Sequence, residues 1–330
     1  MPETKPSDSD TTWSSFYDTV IAPFWCNNVK RTAIERPNGI TLYAYYLTLP
    51  QSKGVIVVSP GRIEAAIKYQ ELVWELAQAG YSVALLDHRG QGESDRESAF
   101  RQRGHIREFD TFISDFAAFM DDVSERFTAQ PITLLGHSMG SAIAALYLAR
   151  HEHSVARAVL SSPMFGIRSN PIPASLALSI AEFGLRLNEW LQPDKPWYFP
   201  ARADYQDIPF ARNDLTHSAA RYAKFRHIYE QNPSIQLGGP TFAWVVQALR
   251  ACTKVEAEAS KISIPVTIVQ SSGDTVVDNE SHRRVLEVLP QGRLVQVPKA
   301  RHELFIEADE YRQQALKVLI EEAEQATKAD

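Results

Sequence analysis

The sequence predicts an α/β fold: a mostly parallel central sheet with helices on both faces and an inserted helical cap. Three observations predict it. Short β-branched runs alternate with helical-period segments between residues 54 and 160. That alternation stops for residues 163–258, which are mostly helical in pattern and rich in aromatics and prolines. It then resumes and continues to the last helical segment.

The elements follow in order. Residues 1–12 are polar and are expected to be a disordered tail. Trp13, Phe16, Tyr17, Phe24 and Trp25 are expected to pack as an N-terminal arm. Thr32–Glu35 and Ile40–Leu47 form a strand pair around Pro37-Asn38-Gly39. Gly54–Val58 and Val83–Leu86 are continuous apolar runs of the kind buried on both faces. Between them Tyr69, Leu72, Val73, Leu76 and Ala77 keep a helical period that Gly80 ends. Phe109, Phe112, Ile113, Phe116, Phe119, Met120 and Val123 mark a long amphipathic helix. Strand Ile132–Leu135, helix Ser138–Arg150 and strand Ala158–Leu160 complete the first part. The second part has strands Val266–Val269 and Leu294–Val297, a helix around Ser281–Leu289, and a helix to about residue 325. The sheet domain is therefore expected over 13–162 and 259–330, with the cap over 163–258.

Composition bounds the function. The 330 residues are 44% hydrophobic and 22% charged, which suits a globular core that needs no metal or disulfide staple. A net charge of −6 argues against a nucleic-acid partner. Cys26 and Cys252 have no ligand spacing and are expected to be free thiols. No secretory h-region and no long apolar run is present, so a cytoplasmic location is expected, with peripheral membrane contact left open. No metal and no organic cofactor is implied.

The chemistry is carried by Gly136-His137-Ser138-Met139-Gly140, a G-x-S-x-G between a strand and a helix. A strand that turns straight into a helix holds its apex serine exposed, and side chains at the flanking positions would clash. Ser138 is the expected nucleophile. A serine needs a base and the base needs an orienting acid, which in the α/β-hydrolase fold follow in the order acid, then histidine. Asp274 lies just past Val266–Val269 and is the expected acid; its competitor Asp278 is better placed to cap the next helix. His302 lies past the last strand and is the expected base. His137 is expected to face into the elbow. His88, His105, His217, His227 and His282 lack a strand-end position of that kind.

Oxyanion donors are expected from the main-chain N–H of Met139 and, in the loop Ser59-Pro60-Gly61-Arg62, from that of Arg62. The Arg62 guanidinium has two uses open to it: pairing with Glu64 or another acid, or meeting an anionic substrate group. Asp87-His88-Arg89-Gly90-Gln91-Gly92-Glu93-Ser94 reads as a supporting loop. Arg221, Lys224, Arg226 and His227 read as a solvated helix face.

These segments together resemble the lysophospholipase L2 and monoacylglycerol-lipase branch of the α/β-hydrolases, within the serine aminopeptidase S33-like family. The resemblance rests on SPGRIEAAIKY at 59–69, DHRGQGES at 87–94, LLGHSMGS at 134–141, NDLTHSAARY at 213–222, GGPTFAWV at 238–245, SSGDTVVD at 271–278 and ARHELFIE at 300–307. SPGRIE and GGPTFAWV are more similar to bacterial lysophospholipase L2 than to monoacylglycerol lipases, which have His-Gly where this chain has Pro60-Gly61. The resemblance implies hydrolysis of the acyl ester of a lysophospholipid beneath a cap. A monoacylglycerol lipase, a general carboxylesterase and a non-catalytic small-molecule binder are the competing readings. The complete Ser138, Asp274 and His302 set argues against the last. The cap aromatics are expected to serve mainly as its own core and in part to line an acyl channel.

Overall fold

The computed structural model describes residues 5–9, 11–168 and 174–328. Helix α1 (Trp13–Phe16) runs through a π-helical turn at Tyr17–Ile21 into α2 (Ala22–Asn28). Then come β1 (Val29–Arg36), β2 (Ile40–Leu47), β3 (Val55–Ser59), α3 (Gln70–Gln78), β4 (Ser82–Asp87), α4 (Phe109–Arg126), β5 (Ile132–His137), α5 (Met139–Arg150) and β6 (Val155–Ser161). Three helices follow: α6 (Ala174–Leu191), α7 (Ala219–Gln231) and α8 (Phe242–Glu258). The chain closes with β7 (Val266–Ser271), α9 (Asn279–Val288), β8 (Gly292–Val297) and α10 (Asp309–Ala326).

The eight strands form one sheet in the order β1-β2-β4-β3-β5-β6-β7-β8. β1–β2 and β2–β4 pair antiparallel, and every pair from β4–β3 to β7–β8 is parallel. Both faces are covered, which is why the central strands read as unbroken apolar runs. Alternate residues of β3 serve opposite cores. Val55 and Val57 pack with α4, α5, α8 and α9, whereas Ile56 and Val58 pack with α3 and α10. The strand ends run further than the sequence pattern indicates. β1 extends three residues earlier, and β6 begins at Val155, because backbone groups pair along the ladder whatever the side chain.

The N-terminal arm packs as expected: Trp13, Tyr17 and Ile21 are buried against Trp74 of α3. Residues 5–9 fall within the expected tail, yet Lys5 reaches Glu71 at 2.8 Å and Glu75 at 2.6 Å. Asp8 meets the Arg221 guanidinium at 3.4 Å. Buried carboxylates that need cations recruit this stretch onto the fold, which its polarity alone conceals.

The segment between β6 and β7 leaves the sheet and returns. Its last helix, α8, buries Trp244, Ala248, Ala251, Cys252 and Val255 in the core shared with α4 and α5. α6 packs on α8, and a Cβ at Gly184 would lie 2.3 Å from the Phe242 ring. α7 carries a second cluster of Tyr222, Phe225 and Tyr229. Cys26 is an exposed free thiol and Cys252 a buried one.

Candidate active site

The turn from β5 into α5 places Ser138. Its backbone has φ 51° and ψ −119°, a conformation that costs a non-glycine residue about 1–3 kcal/mol. Surrounding contacts impose it. Ser138 N–H donates to Ser161 O at 3.0 Å, and Ser138 O accepts from Ser141 and Met164 N–H at 3.0 and 3.1 Å. Glycine is required on both sides for lack of room. A Cβ at Gly140 would lie 2.0 Å from the Ser59 carbonyl oxygen, and one at Gly136 would lie 2.7 Å from Ser141 Cα. The small residues Ser141, Ala142, Ala144 and Ala145 carry this close approach along α5.

The loops after β7 and β8 bring the other two residues to it. His302 Nε2 lies 3.0 Å from Ser138 Oγ, and His302 Nδ1 lies 2.6 Å from Asp274 Oδ2. The second oxygen of Asp274 accepts from Val276 and Val277 N–H at 2.7 and 3.1 Å, which fixes the carboxylate. Burial would raise the Asp274 pKa, but the bond to His302, its charge and the two amides outweigh burial and hold it below the ordinary value. Asp278 instead caps α9, accepting Glu280 N–H at 3.2 Å. The three residues named from the sequence are therefore the three that converge.

NDLTHSAARY fixes the histidine loop from the far side. Glu303 N–H donates to Leu215 O at 2.9 Å, and Thr216 Oγ1 donates to Ile306 O at 2.7 Å. Arg301 Nη1 donates to Thr216 O at 2.9 Å. A histidine base is effective only where its ring is held, and here the held element is the loop that carries it.

Around Ser59-Pro60-Gly61-Arg62 three hydrogen bonds fix the backbone. Gly61 N–H is taken by the Glu64 carboxylate, and Ile63 N–H donates to Gln91 Oε1 at 2.9 Å. Gln91 Nε2 donates to Gly61 O at 2.9 Å. The Gly61–Arg62 peptide is planar and trans, so pinning its carbonyl turns the Arg62 N–H to the opposite side. Met139 is the first residue of α5, whose leading N–H groups have no partner within the helix. Gln91, from the DHRGQGES segment, thus holds this loop on both sides of Arg62. His88 adds to it, with Nε2 3.0 Å from Ser59 Oγ.

Beneath this loop lies a buried charge network with no sequence signature beyond the spacing of Glu64 and Lys68. Lys68 Nζ sits 2.7 Å from Glu64 Oε1 and also bonds Glu303, while Tyr69 donates to Glu64 at 2.6 Å. Burial would raise the Glu64 pKa, yet the charges of Lys68 and His137 prevail and keep it low, at about 2. Burial drives the His137 pKa down to about 4, so the ring is neutral beside His302, 5.0 Å away between centroids. Glu64, His137 and Glu303 offer donor atoms within 4.8 Å of one another, a spacing that could hold a cation. The Lys68 ammonium already contacts both carboxylates and supplies that charge.

Ser138 and His302 open on a cavity of about 450 Å³. Met164, Ile167, Leu215, Leu237, Trp244 and Val277 give it an apolar wall, and Arg62, Arg202 and Arg226 a cationic one. The expectation of a solvated face for Arg221 is corrected. Its guanidinium is buried, 2.8 Å from Glu71 and 2.5 Å from Asp309, and it ties α7 to α3 and α10. Lys224 and Arg226 of the same set are also largely covered and pair with Asp18 and Asp207, so of the four residues His227 alone is exposed.

A family model described as serine aminopeptidase, S33, matches residues 50–309. A probable lysophospholipase L2 of Haemophilus influenzae is 34% identical over 281 residues, 84% of this chain and 87% of that one. The lysophospholipase L2 of Escherichia coli K12 is 35% identical over 276 residues, 81% and 79% of the two chains. Human monoglyceride lipase is 27% identical over 244 residues, 74% and 73%. Among solved structures, a carboxyl esterase of Bacillus coagulans superposes with a TM-score of 0.70 at 19% identity, covering 91% of this chain and 99% of that one. A monoglyceride lipase of Saccharomyces cerevisiae gives 0.69 at 19% identity, covering 91% and 96%, so both share the fold. The chain belongs to the serine aminopeptidase, S33, family of α/β-hydrolases, together with the lysophospholipase L2 proteins, and is a carboxylic ester hydrolase.

Proposed function

We propose that this enzyme is a lysophospholipase that releases the fatty acid of a single-chain phospholipid through an acyl-enzyme on Ser138. The observation that carries the reading is the opening of the Ser138–His302–Asp274 relay onto a cavity with one apolar and one cationic wall. Such a cavity suits an amphiphile with an acyl chain and an anionic headgroup. The relatives in the lysophospholipase L2 group add weight to it.

Ser138 Oγ attacks the acyl carbonyl carbon as its proton passes to His302 Nε2. Asp274 holds Nδ1–H and stabilises the imidazolium. The N–H groups of Met139 and Arg62 receive the oxyanion. The tetrahedral species collapses, and His302 returns the proton to the departing glycerophospho-alcohol oxygen. Water then attacks the acyl-enzyme, His302 takes its proton, and the fatty acid leaves as Ser138 regains a hydrogen. Residues 163–258 act as a cap over this site.

Lysophospholipids and monoacylglycerols of one chain length, assayed side by side in the same micelles, test the reading. The expected result is a kcat/KM at least tenfold higher for the lysophospholipid. Much faster turnover of the glyceride would sink it.

With such a substrate, we infer that the protein works at a membrane surface. Among the described residues no helix is long and apolar enough to cross a membrane. α6 nonetheless turns Leu176, Ile180, Phe183 and Trp190 outward along one helical face, with Phe183 70% and Trp190 79% exposed. The double substitution Phe183→Asp with Trp190→Asp is expected to reduce co-sedimentation with phosphatidylethanolamine–phosphatidylglycerol vesicles by about tenfold or more, since burying each aromatic side chain contributes about 1.5–3 kcal/mol. Unchanged co-sedimentation would refute contact through α6.

A further inference from the structure

The cationic wall of the cavity has no role in the chemistry at Ser138. Arg62 projects from the oxyanion loop into the space between Trp244, Gly104 and Gly238. Its Nη2 donates to Gly238 O at 2.7 Å, and its Cζ stands 5.0 Å from the Trp244 ring centroid. A Cβ at Gly104 would lie 2.6 Å from Nη2, so the guanidinium fills the room that this glycine leaves. Nε has no acceptor. The pairing with Glu64 that the sequence left open does not occur, because Glu64 is committed to Lys68, Tyr69 and the Gly61 amide.

The buried arginines of this chain are neutralised. Arg89 pairs with Asp115, Arg221 with Glu71 and Asp309, and Arg312 with Glu75. Among the described residues no carboxylate pairs with Arg62. Its charged neighbour is a second arginine, the exposed Arg202, and burial together with that charge lowers the Arg62 pKa to about 9. Arg226, also on this wall, is occupied by Asp207. The carboxylates that line the cavity have other partners: Asp204 accepts the Tyr198 hydroxyl and Glu303 bonds Lys68. Among the described residues neither guanidinium is ion-paired, and the half-buried Arg62 is the more poorly solvated of the two, so an anion bound between them would gain charge-assisted hydrogen bonds that water supplies incompletely. Both line the same cavity as Ser138.

We infer that Arg62 and Arg202 form an anion subsite that takes the phosphate of a single-chain phospholipid while its acyl carbonyl lies at Ser138. This rests on the lysophospholipase reading above and names the residues that separate phospholipid from glyceride. Arg62 thereby serves twice: its amide faces the oxyanion and its guanidinium faces the headgroup. The Trp244 ring and Gly238 carbonyl hold the guanidinium in place before substrate arrives, so little ordering is needed on binding. Free phosphate shares the recognised chemistry and is separated by a dedicated arm of the test.

The experiment compares kcat/KM for a lysophosphatidylethanolamine and for the monoacylglycerol of the same chain. It uses the full-length wild type, Arg62→Met, Arg62→Lys and Arg202→Gln. The readout is the ratio of the two values, so a change that slows both substrates alike does not register. The ratio is expected to fall about tenfold to a hundredfold in Arg62→Met, the effect of losing a charge-assisted phosphate contact. A several-fold fall is expected in Arg202→Gln, and Arg62→Lys should recover part of the ratio. Because Arg202 is exposed, its substitution decides the matter if Arg62→Met fails to fold. A wild type that prefers lysophospholipid, with the ratio unmoved in both Arg62→Met and Arg202→Gln, overturns the subsite and leaves the lysophospholipase reading standing. A wild type that prefers the glyceride overturns that reading and the headgroup assignment with it. Inorganic phosphate added to the glyceride assay provides the last arm. Inhibition that is lost in Arg202→Gln, with an unmoved substrate ratio, identifies a site for free phosphate and overturns the headgroup role.

Discussion

Ser138→Ala is expected to lower kcat for lysophospholipid hydrolysis by about 10⁶-fold, while the protein stays folded with its stability changed by about 0.5 kcal/mol or less. The size follows from what the oxygen does. Without Oγ no acyl-enzyme forms, and His302 has no nucleophile to deprotonate. What remains is water held near the two oxyanion donors, which supplies about 10³–10⁴-fold over the uncatalysed reaction. The strained backbone at φ 51° is fixed by its hydrogen bonds to Ser161, Ser141 and Met164, none of which uses the side chain. Steady-state rates together with thermal unfolding check this. Activity within tenfold of wild type would remove Ser138 from the mechanism.

Asp274→Asn carries the second largest effect, a fall in kcat of about 10⁴-fold. An asparagine oxygen can still accept the amides of Val276 and Val277, so the turn after β7 survives. Its amide nitrogen, however, would face His302 Nδ1 as a donor. The imidazole then places its proton on Nε2, 3.0 Å from Ser138 Oγ, where an acceptor is required. Asp278→Ala is the matched control. It removes the α9 cap and an exposed contact with Arg284 at 3.7 Å, costs about 1 kcal/mol of stability, and leaves kcat within about twofold of wild type. Equal losses in the two variants would contradict the assignment of Asp274.

The legibility of the site in the sequence has a physical basis. A nucleophile elbow needs its residue types in consecutive order, so Gly136, Ser138 and Gly140 are readable as a string; the 2.0 Å approach of a Gly140 Cβ to Ser59 shows why. Asp274 and His302 lack such a string. They are found because the sheet delivers catalytic loops at strand ends, and β7 and β8 are recognisable as apolar runs. What stays hidden depends on partners far away in the chain. Arg221 looks like a solvated cation until Glu71, 150 residues earlier, is folded against it. Lys68 meets Glu303 across 235 residues. Lys5 and Asp8 sit in a polar stretch whose attachment comes from carboxylates and a guanidinium elsewhere. Arg202 belongs to no motif, and its place near Arg62 on the cavity wall appears only in the folded chain. Gln91 was within a recognised loop, but its hold on the Gly61 carbonyl depends on the geometry of that peptide.

The most direct test of the central claim is to label the wild-type protein with a fluorophosphonate and map the adduct by peptide mass spectrometry, with and without competing lysophospholipid. The account predicts a single adduct on Ser138, slowed by the lysophospholipid and absent from Ser138→Ala. An adduct on another residue, or equal labelling of wild type and Ser138→Ala, would contradict it.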